Sequence, residues 1–427
     1  MMILLRPILP TLFILLSISC TTGRERVELL DEFVIAAYSG PPPGEVNLQR
    51  YREIAEAGID VVIPGNGIMS GEQNLEVMDL AALTGIRVLP VDTRVMPFAL
   101  TAGIRIDTAV IRGMVNDYKD HPAFAGYVIR DEPSASLFPS LEDLCQVFRD
   151  LDPAHEPLVN LFPSYASSEQ LGSPDFRSYI RDFISTVRPG LLSYDNYALR
   201  EPHTWYDHWF SDLEQVREET RKAGIPFWVF IQSEGIGTQM RVPNRAEVLW
   251  QVNTAVAYGA RGLGWFTYWT PEADQGFEQQ EGAPPPLIEE HHGAMLDIHG
   301  NRTALYDHVR EANLFIKEVG RSLTGWENEF VARYEDGRIL AGGSSPVLVP
   351  SGENARLVIG TFTKGKRTRV VVSNSSCGTP ARFSLNLLGK RRIKGRFTSI
   401  DASPLGDGSE LHEWLLEPGG SVILEIK

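Results

Sequence analysis

Hydrophobic and polar positions divide the chain into two parts with different patterns. Between residues 32 and 323, short apolar runs rich in β-branched and aromatic residues alternate with longer amphipathic segments. Continuous apolar runs are typical of parallel strands that are buried on both faces. Eight such runs begin at Phe33, Asp60, Arg87, Phe124, Pro157, Leu191, Pro226 and Ala260. Eight strands that alternate with helices predict an α/β fold, a (β/α)8 TIM barrel, rather than an open doubly wound sheet.

Several of the predicted helices carry boundary signals. Asn47 and Asn244 each precede an amphipathic stretch that a glycine closes, which is typical of a capped helix. Ser140, with Asp143 three residues later, predicts an approximate capping box. The last helix of the barrel is predicted over residues 306–323.

The pattern changes near residue 324. From there to residue 427, short alternating strands such as RLVIGTF, TRVVVSN, RFSLNL and SVILEI are separated by turn signals. This spacing predicts a small all-β sandwich domain. The expected organisation is therefore a catalytic barrel over residues 32–323, followed by a C-terminal β-sandwich over residues 324–427.

The first twenty residues have the layout of an export signal. Arg6 precedes an apolar run over residues 8–18, and Ser19 stands before Cys20. This arrangement resembles the lipobox of bacterial lipoproteins, although Ser17 stands where that family usually has an aliphatic residue. The resemblance implies that residues 1–20 are a signal peptide and that Cys20 is acylated. It also implies an extracytoplasmic protein that is anchored by lipid to the cell envelope, in the outer membrane or periplasm. A plain signal peptide that is cut nearby is the alternative. A membrane-spanning helix is not expected, because the run is shorter than the roughly 20 residues that span a bilayer.

Charge and motifs narrow the class of ligand. The formal net charge is −15. A nucleic-acid partner needs a basic face, so we expect no nucleic acid as a partner. No Walker or GxGxxG loop follows a predicted strand, so no nucleotide cofactor is expected, and we predict no other cofactor. Cys145 and Cys377 are expected to be buried free thiols. The sequence leaves the oligomeric state open.

Polar and aromatic residues gather where the predicted strands end. In a barrel of this type the active site forms at the carboxyl ends of the strands. Strands two and three offer Asn66 and Asp92, and the other candidates follow strands four, six, seven and eight: Asp131, Glu132, Asp195, Asn196, Tyr197, Gln232, Glu234, Trp265, Tyr268 and Trp269. The loop after strand six adds Trp205, Tyr206, His208 and Trp209, which either line the same cleft or begin a helix.

These residue types suit carbohydrate chemistry. Glycosidic hydrolysis needs one carboxylic acid that protonates the leaving oxygen and a second carboxylate that attacks the anomeric carbon or activates water. The apolar face of a sugar ring packs on aromatic rings, for which Trp269 is the best candidate, while amides and acids bind its hydroxyls. The candidate set therefore predicts a carbohydrate substrate.

Two segments strengthen this prediction. GYVIRDEP and WVFIQSEG resemble the strand-four and strand-seven motifs of the retaining (β/α)8 glycoside hydrolases. The resemblance implies that Glu132 is the acid/base and Glu234 the nucleophile. Asp131 stands where the family usually has asparagine, and the match around Glu234 is loose. Asp195 is therefore the alternative second carboxylate. A larger separation of the two acids, or Asp195 in the second role, would imply inversion.

Two other interpretations stay open. The segment with His291, His292, Asp297 and His299 suggests a metal site, but it lacks the HExxH spacing, and a loop at the rim of the active site is favoured, with no metal. The second is a carbohydrate-binding lipoprotein that has kept the barrel and lost catalysis, because a fold does not by itself give a function.

Overall fold

A computed structural model describes residues 28–271, 291–352, 355–405 and 412–427. The predicted signal peptide and Cys20 lie outside the described residues. Within the described ranges, no helix is both long and apolar enough to cross a membrane.

The first part of the chain is a (β/α)8 barrel, as the sequence predicted. Its eight parallel strands are β1 Val34–Tyr38, β2 Val61–Ile63, β3 Arg87–Val88, β4 Tyr127–Asp131, β5 Pro157–Leu161, β6 Leu192–Asp195, β7 Phe227–Gln232 and β9 Gly262–Phe266. They pair in the order β3-β2-β1-β9-β7-β6-β5-β4. Val88 bridges to Phe124 just before β4, which closes the barrel. Two short strands, β8 Gly235–Ile236 and β10 His291–His292, pair antiparallel beyond the end of β7.

Eleven helices occur in the described part of the chain. They are α1 Glu28–Asp31, α2 Leu48–Glu56, α3 Gly71–Ala82, α4 Met96–Leu100, α5 Thr108–Tyr118, α6 Phe138–Leu151, α7 Ser168–Leu171, α8 Phe176–Val187, α9 Tyr206–Ala223, α10 Arg245–Ala257 and α11 Ala304–Leu323.

The caps agree with the sequence in two of three cases. Asn47 accepts from the backbone nitrogen of Arg50 at the start of α2, and Asn244 forms a capping box with Glu247 at the start of α10. The expected box at Ser140 is wrong, because α6 begins two residues earlier. A short 3₁₀ turn runs directly into α6, and a proline follows its first residue, where the fixed φ of proline suits a helix start.

The interior of the barrel is filled by side chains of unequal size. Trp228 and Phe230 point inward from β7, and the facing residues of β9 are Gly262 and Gly264. A Cβ at either glycine would lie 2.4 Å from the neighbouring ring. The glycines therefore leave the space that the two large rings occupy, and Phe230 reaches the cavity described below.

The C-terminal part is an antiparallel all-β domain around its own core. Its strands are β11 Glu327–Glu335, β12 Arg338–Ala341, β13 Leu348–Ser351, β14 Arg356–Lys364, β15 Arg367–Asn374, β16 Ala381–Leu387, β17 Ile393–Pro404 and β18 Glu413–Ile426. Helix α11 ends at Leu323, four residues before β11. The long strand β18 pairs with β15, β16 and β17, so the domain is one continuous sheet.

The all-β domain packs on helix α10. Trp250 Nε1 donates to the carbonyl oxygen of Ser375 at 3.0 Å, and Asn253 Nδ2 donates to that of Gly419 at 2.8 Å. Both side chains of α10 are buried. The domain therefore covers an outer helix of the barrel.

The two described cysteines are free. Cys145 is buried, as expected, but Cys377 is only partly buried. Its sulfur lies 2.9 Å from the hydroxyl of Tyr206.

Candidate active site

A cavity of about 410 Å³ opens at the carboxyl ends of the barrel strands. Carboxyl groups come from strands β4 and β6, and a layer of aromatic rings comes from β1, β6 and β9. The polar residues of its wall are Arg130, Asp131, Glu132, Asn160, Gln170, Asp195, Arg200 and His291; its aromatic residues are Tyr38, Phe162, Tyr165, Tyr197, Phe230 and Phe266.

Three carboxyl groups form a cluster on one side of this cavity. Asn160, on β5 between β4 and β6, donates from Nδ2 to Asp195 Oδ1 at 2.7 Å and to Asp131 Oδ1 at 3.0 Å. Ser193 orients the amide by donating to Asn160 Oδ1 at 2.7 Å. The side chain of Glu132 hydrogen-bonds with that of Asp195. Two carboxyl groups hydrogen-bond to each other only when one of them is protonated.

Burial and like charge raise the pKa of Asp195 well above its usual range. Loss of solvent is the larger cause, and the charge of Asp131 adds to it. Hydrogen bonds from Asn160, Tyr197 and Glu132 act in the opposite direction. Asp195 therefore keeps a proton at a pH where an isolated aspartate would be ionised.

The backbone places Glu132 at the edge of the cavity. Its φ is +43°, in the left-handed region that a glutamate seldom adopts. The backbone nitrogen of Glu132 donates to the carbonyl oxygen of Asn160 at 2.8 Å. The Tyr179 hydroxyl then donates to the carbonyl oxygen of Pro133 at 2.6 Å, which fixes the next peptide. Strain of this kind concentrates at functional sites, where the surrounding structure holds it.

Stacked rings form the wall next to the carboxyl cluster. Tyr197 and Phe266 stack with 5.2 Å between ring centroids, and Phe266 and Tyr38 stack at 5.8 Å. Tyr197 also belongs to the polar network, since its hydroxyl bonds with Asp195. An aromatic surface beside acidic groups is the arrangement that binds the apolar face and the hydroxyls of a sugar ring.

Glu234 lies behind this wall rather than on it. Its side chain is fully buried; His291 Nδ1 lies 2.9 Å from Oε1, and the Thr267 hydroxyl donates to Oε2 at 3.0 Å. Burial raises the pKa of Glu234, and the bond with His291 opposes that shift. Among the described residues it is His291, not Glu234, that lines the cavity. Glu234 is therefore linked to the cavity wall through its bond with His291.

Two predicted substrate-binding amides are also buried behind the cavity surface. Asn196 Nδ2 donates to Asp212 Oδ2 at 3.0 Å. Gln232 Nε2 donates to the carbonyl oxygen of Arg241 at 2.7 Å, and its Oε1 accepts from the backbone nitrogen of Leu199 at 3.1 Å. Both amides hold the loop after β6 to its neighbours.

The three aromatic residues that were predicted on the eighth barrel strand, now β9, are not part of the described cavity wall. Trp265 points outward, where Nε1 donates to Asn313 of α11 at 2.9 Å. Tyr268 is fully buried, and Trp269 packs under the guanidinium of Arg50, 4.9 Å from its ring centroid. The ring at the cavity is Phe266, the last residue of β9.

The remaining candidates have structural partners. Asp92 forms an ion pair with Arg94 at 2.6 Å and accepts from the Tyr118 hydroxyl at 2.5 Å. Asn66 Nδ2 donates to the carbonyl oxygen of Gly40 at 3.0 Å. In the histidine segment, Asp297 accepts from the backbone of His299 and so closes a turn. Within the described ranges, no group of three or more ligating side chains is placed to hold a metal ion.

Sequence reasoning missed several residues of the cavity wall. Asn160 carried a signal, because an amide within the otherwise apolar run PLVNLFP must find polar partners when it is buried. Tyr165 and Arg200 come from two loops after different strands, and no local pattern links them.

Solved structures share this fold at low sequence identity. A GH42 β-galactosidase from G. stearothermophilus is 9% identical, with a TM-score of 0.60 over 94% of this chain and 100% of that chain. A β-galactosidase from Bacillus circulans sp. alkalophilus is 10% identical, with a TM-score of 0.58 over 93% and 99% of the two chains. A family 39 glycoside hydrolase from Bacteroides cellulosilyticus is 12% identical, with a TM-score of 0.51 over 94% and 82%.

These structural neighbours are glycoside hydrolases with the same barrel. No protein-family model matches the sequence, and comparison with curated proteins gave no match. The chain therefore shares the (β/α)8 fold of glycoside hydrolases, and its chemistry is argued from its own site.

Proposed function

We propose that this protein is a glycoside hydrolase that cleaves O-glycosidic bonds of a poly- or oligosaccharide in the cavity at the top of the barrel. The observation that carries the proposal is the hydrogen-bonded pair of Glu132 and Asp195, with stacked rings beside it. A two-carboxylate reaction needs a proton donor and an ionised carboxylate next to it. A pair that shares one proton supplies both.

Glu132 is the proposed proton donor. It lies at the edge of the cavity and is partly exposed, whereas Asp195 is buried. When Glu132 gives its proton to the glycosidic oxygen, the bond between that oxygen and the anomeric carbon breaks. The leaving group departs as an alcohol, and positive charge develops on the sugar ring.

Asp195 is the proposed second carboxylate. Once the shared proton has moved to the leaving oxygen, Asp195 is ionised and faces the charged anomeric centre. It then attacks that carbon or stabilises it while water, deprotonated by Glu132, completes the hydrolysis. Retaining enzymes hold their two carboxyl groups about 5–5.5 Å apart, and inverting enzymes hold them about 6.5–9.5 Å apart. The anomer that is released first distinguishes the two outcomes.

The test is a panel of oligosaccharides and aryl glycosides, with release of reducing ends measured and the first anomer identified by NMR. Wild type is expected to cleave at least one glycan. Asp195→Asn should lower kcat by about 10²–10⁴-fold on that glycan. Tight glycan binding without turnover in wild type would instead support a carbohydrate-binding protein on the same barrel.

The export prediction is a separate proposal and rests on the sequence alone. We propose that Cys20 is lipidated and holds the protein in the bacterial cell envelope, outside the cytoplasm. Labelling of cells with a palmitate analogue should mark the wild-type chain and not Cys20→Ala. Equal labelling of both would contradict lipidation at that cysteine.

A further inference from the structure

Arg200 is one of two arginines on the cavity wall, which also carries Arg130 and three carboxyl groups. Its Nε donates to the carbonyl oxygen of Tyr197 at 2.9 Å. No ion pair joins Arg200 to a carboxylate within the described ranges, whereas Arg94, Arg241 and Arg245 all form ion pairs. The terminal nitrogens of Arg200 therefore keep their hydrogen-bonding capacity for another anion.

Two aromatic rings hold the guanidinium group in place. It lies over Tyr165, 5.3 Å from the ring centroid, and over Trp205, 4.9 Å from the ring centroid. The two rings contact each other edge to face at 5.4 Å. A flat guanidinium fixed against rings loses little conformational freedom when it forms two parallel bonds to a carboxylate or a sulfate.

The position of Tyr165 connects this cation with the proposed catalytic pair. Its hydroxyl accepts from the backbone nitrogen of Tyr197 at 2.9 Å. Tyr165, Arg200, Asp195 and Glu132 all line the same cavity, and the charges of the last three act on the Tyr165 hydroxyl. A sugar bound at the acids therefore lies in the same cavity as the guanidinium group.

We propose that Arg200 recognises an anionic substituent of the substrate, so that the natural glycan is acidic and carries a carboxylate or a sulfate. This inference rests on the proposed function for the nature of the ligand. Beyond that function, the inference specifies the charge of the substrate, which the fold alone does not indicate. An ion pair formed in such a partly buried site stabilises the bound sugar by about 1.5–3 kcal/mol, which corresponds to roughly 10- to 100-fold in Kd.

The test is calorimetric binding of glucose, glucuronate and glucose 6-sulfate to the full chain at constant ionic strength. Wild type should bind at least one of the two anions about tenfold or more tightly than glucose, and the tighter of the two identifies the substituent. Arg200→Ala should reduce the affinity for that anion to the level of glucose, and Arg200→Lys should retain part of it. Arg112→Ala, an exposed arginine on α5, removes the same charge away from the cavity and should change nothing.

Equal affinity for glucose and both anions, or no measurable binding of either anion, would overturn the proposal. The same holds if Arg200→Ala and Arg112→Ala behave alike. Because binding is read without turnover, a chain that binds glucuronate through Arg200 but cleaves nothing would refute the proposed hydrolase and leave the anion site standing.

Discussion

The amide nitrogen of Asn160 lies 2.7 Å from Asp195 Oδ1, and this bond ties the middle strand β5 to the buried acid of β6. The same nitrogen reaches Asp131 on β4 at 3.0 Å. One side chain thus sets the spacing of carboxyl groups from two strands. It also donates to the ionised form of Asp195, which lowers the pKa of that acid against the effect of burial.

Removal of this donor should shift the pH dependence of hydrolysis. In Asn160→Leu the ionised form of Asp195 loses a hydrogen bond, so the pKa of the pair rises. A bond to a charged group contributes about 1.5–3 kcal/mol, which corresponds to a shift of roughly one pH unit or more. The basic limb of kcat/KM should move upward by that amount. Asn386→Leu, an exposed amide of the all-β domain, serves as control, and an unchanged basic limb in Asn160→Leu would contradict the positioning role.

Replacement of Glu234 should affect stability more than catalysis. Glu234 is buried in a pair with His291, and loss of one partner of a buried pair costs about 3–5 kcal/mol. We expect Glu234→Gln to lower the free energy of unfolding, measured in urea, by a large part of that amount. Its kcat should fall far less than that of Asp195→Asn. If kcat of Glu234→Gln instead falls as far as in Asp195→Asn, Glu234 takes part in the chemistry as the strand-seven resemblance implies.

Asp212 should make stability depend on pH. It is fully buried, and burial raises its pKa to about 7, whereas an aspartate in the unfolded chain titrates near 3.9. The folded state therefore binds the proton more tightly, and this contribution to stability is complete below about pH 4. It is lost as the pH rises to about 7, by an amount on the order of 4 kcal/mol.

Asp212→Asn removes this proton but keeps an oxygen that accepts from Asn196 and from the backbone of Ser164. Urea unfolding at pH 5 and pH 8 should show that wild type loses stability relative to Asp212→Asn as the pH rises. The exposed Asp182→Asn on α8 should follow wild type. A constant difference between wild type and Asp212→Asn at the two pH values would refute the raised pKa.

The barrel could be predicted because buried parallel strands leave long apolar runs that the sequence displays directly. The edge strands of the all-β domain were harder to see. Strand β12 is largely exposed, and β17 alternates exposed and partly buried residues, so neither shows a clear apolar face. Their places depend on pairing with β11 and β18 rather than on local pattern.

Site residues could be predicted where a sequence motif stands at the end of a strand. They could not be predicted where side chains from separate loops come together. Glu132 directly follows β4, Asp195 is the last residue of β6, and both line the cavity. The prediction that Trp269 contacts the sugar assumed that the eighth barrel strand, β9, continues beyond Phe266. The strand ends there, and Trp269 is held by a bond from its backbone nitrogen to Ser39, so strand alternation no longer sets its direction. Arg200 meets Tyr165 only through tertiary packing.

The proposed chemistry depends most directly on Glu132. The decisive measurement is kcat of Glu132→Gln relative to wild type on the glycan that wild type cleaves, with circular dichroism to verify the fold. Glutamine keeps the size of the side chain but cannot donate the proton to the glycosidic oxygen, so kcat should fall by about 10²–10⁴-fold while the glycan still binds. Unchanged turnover in Glu132→Gln would contradict the two-carboxylate mechanism at this pair.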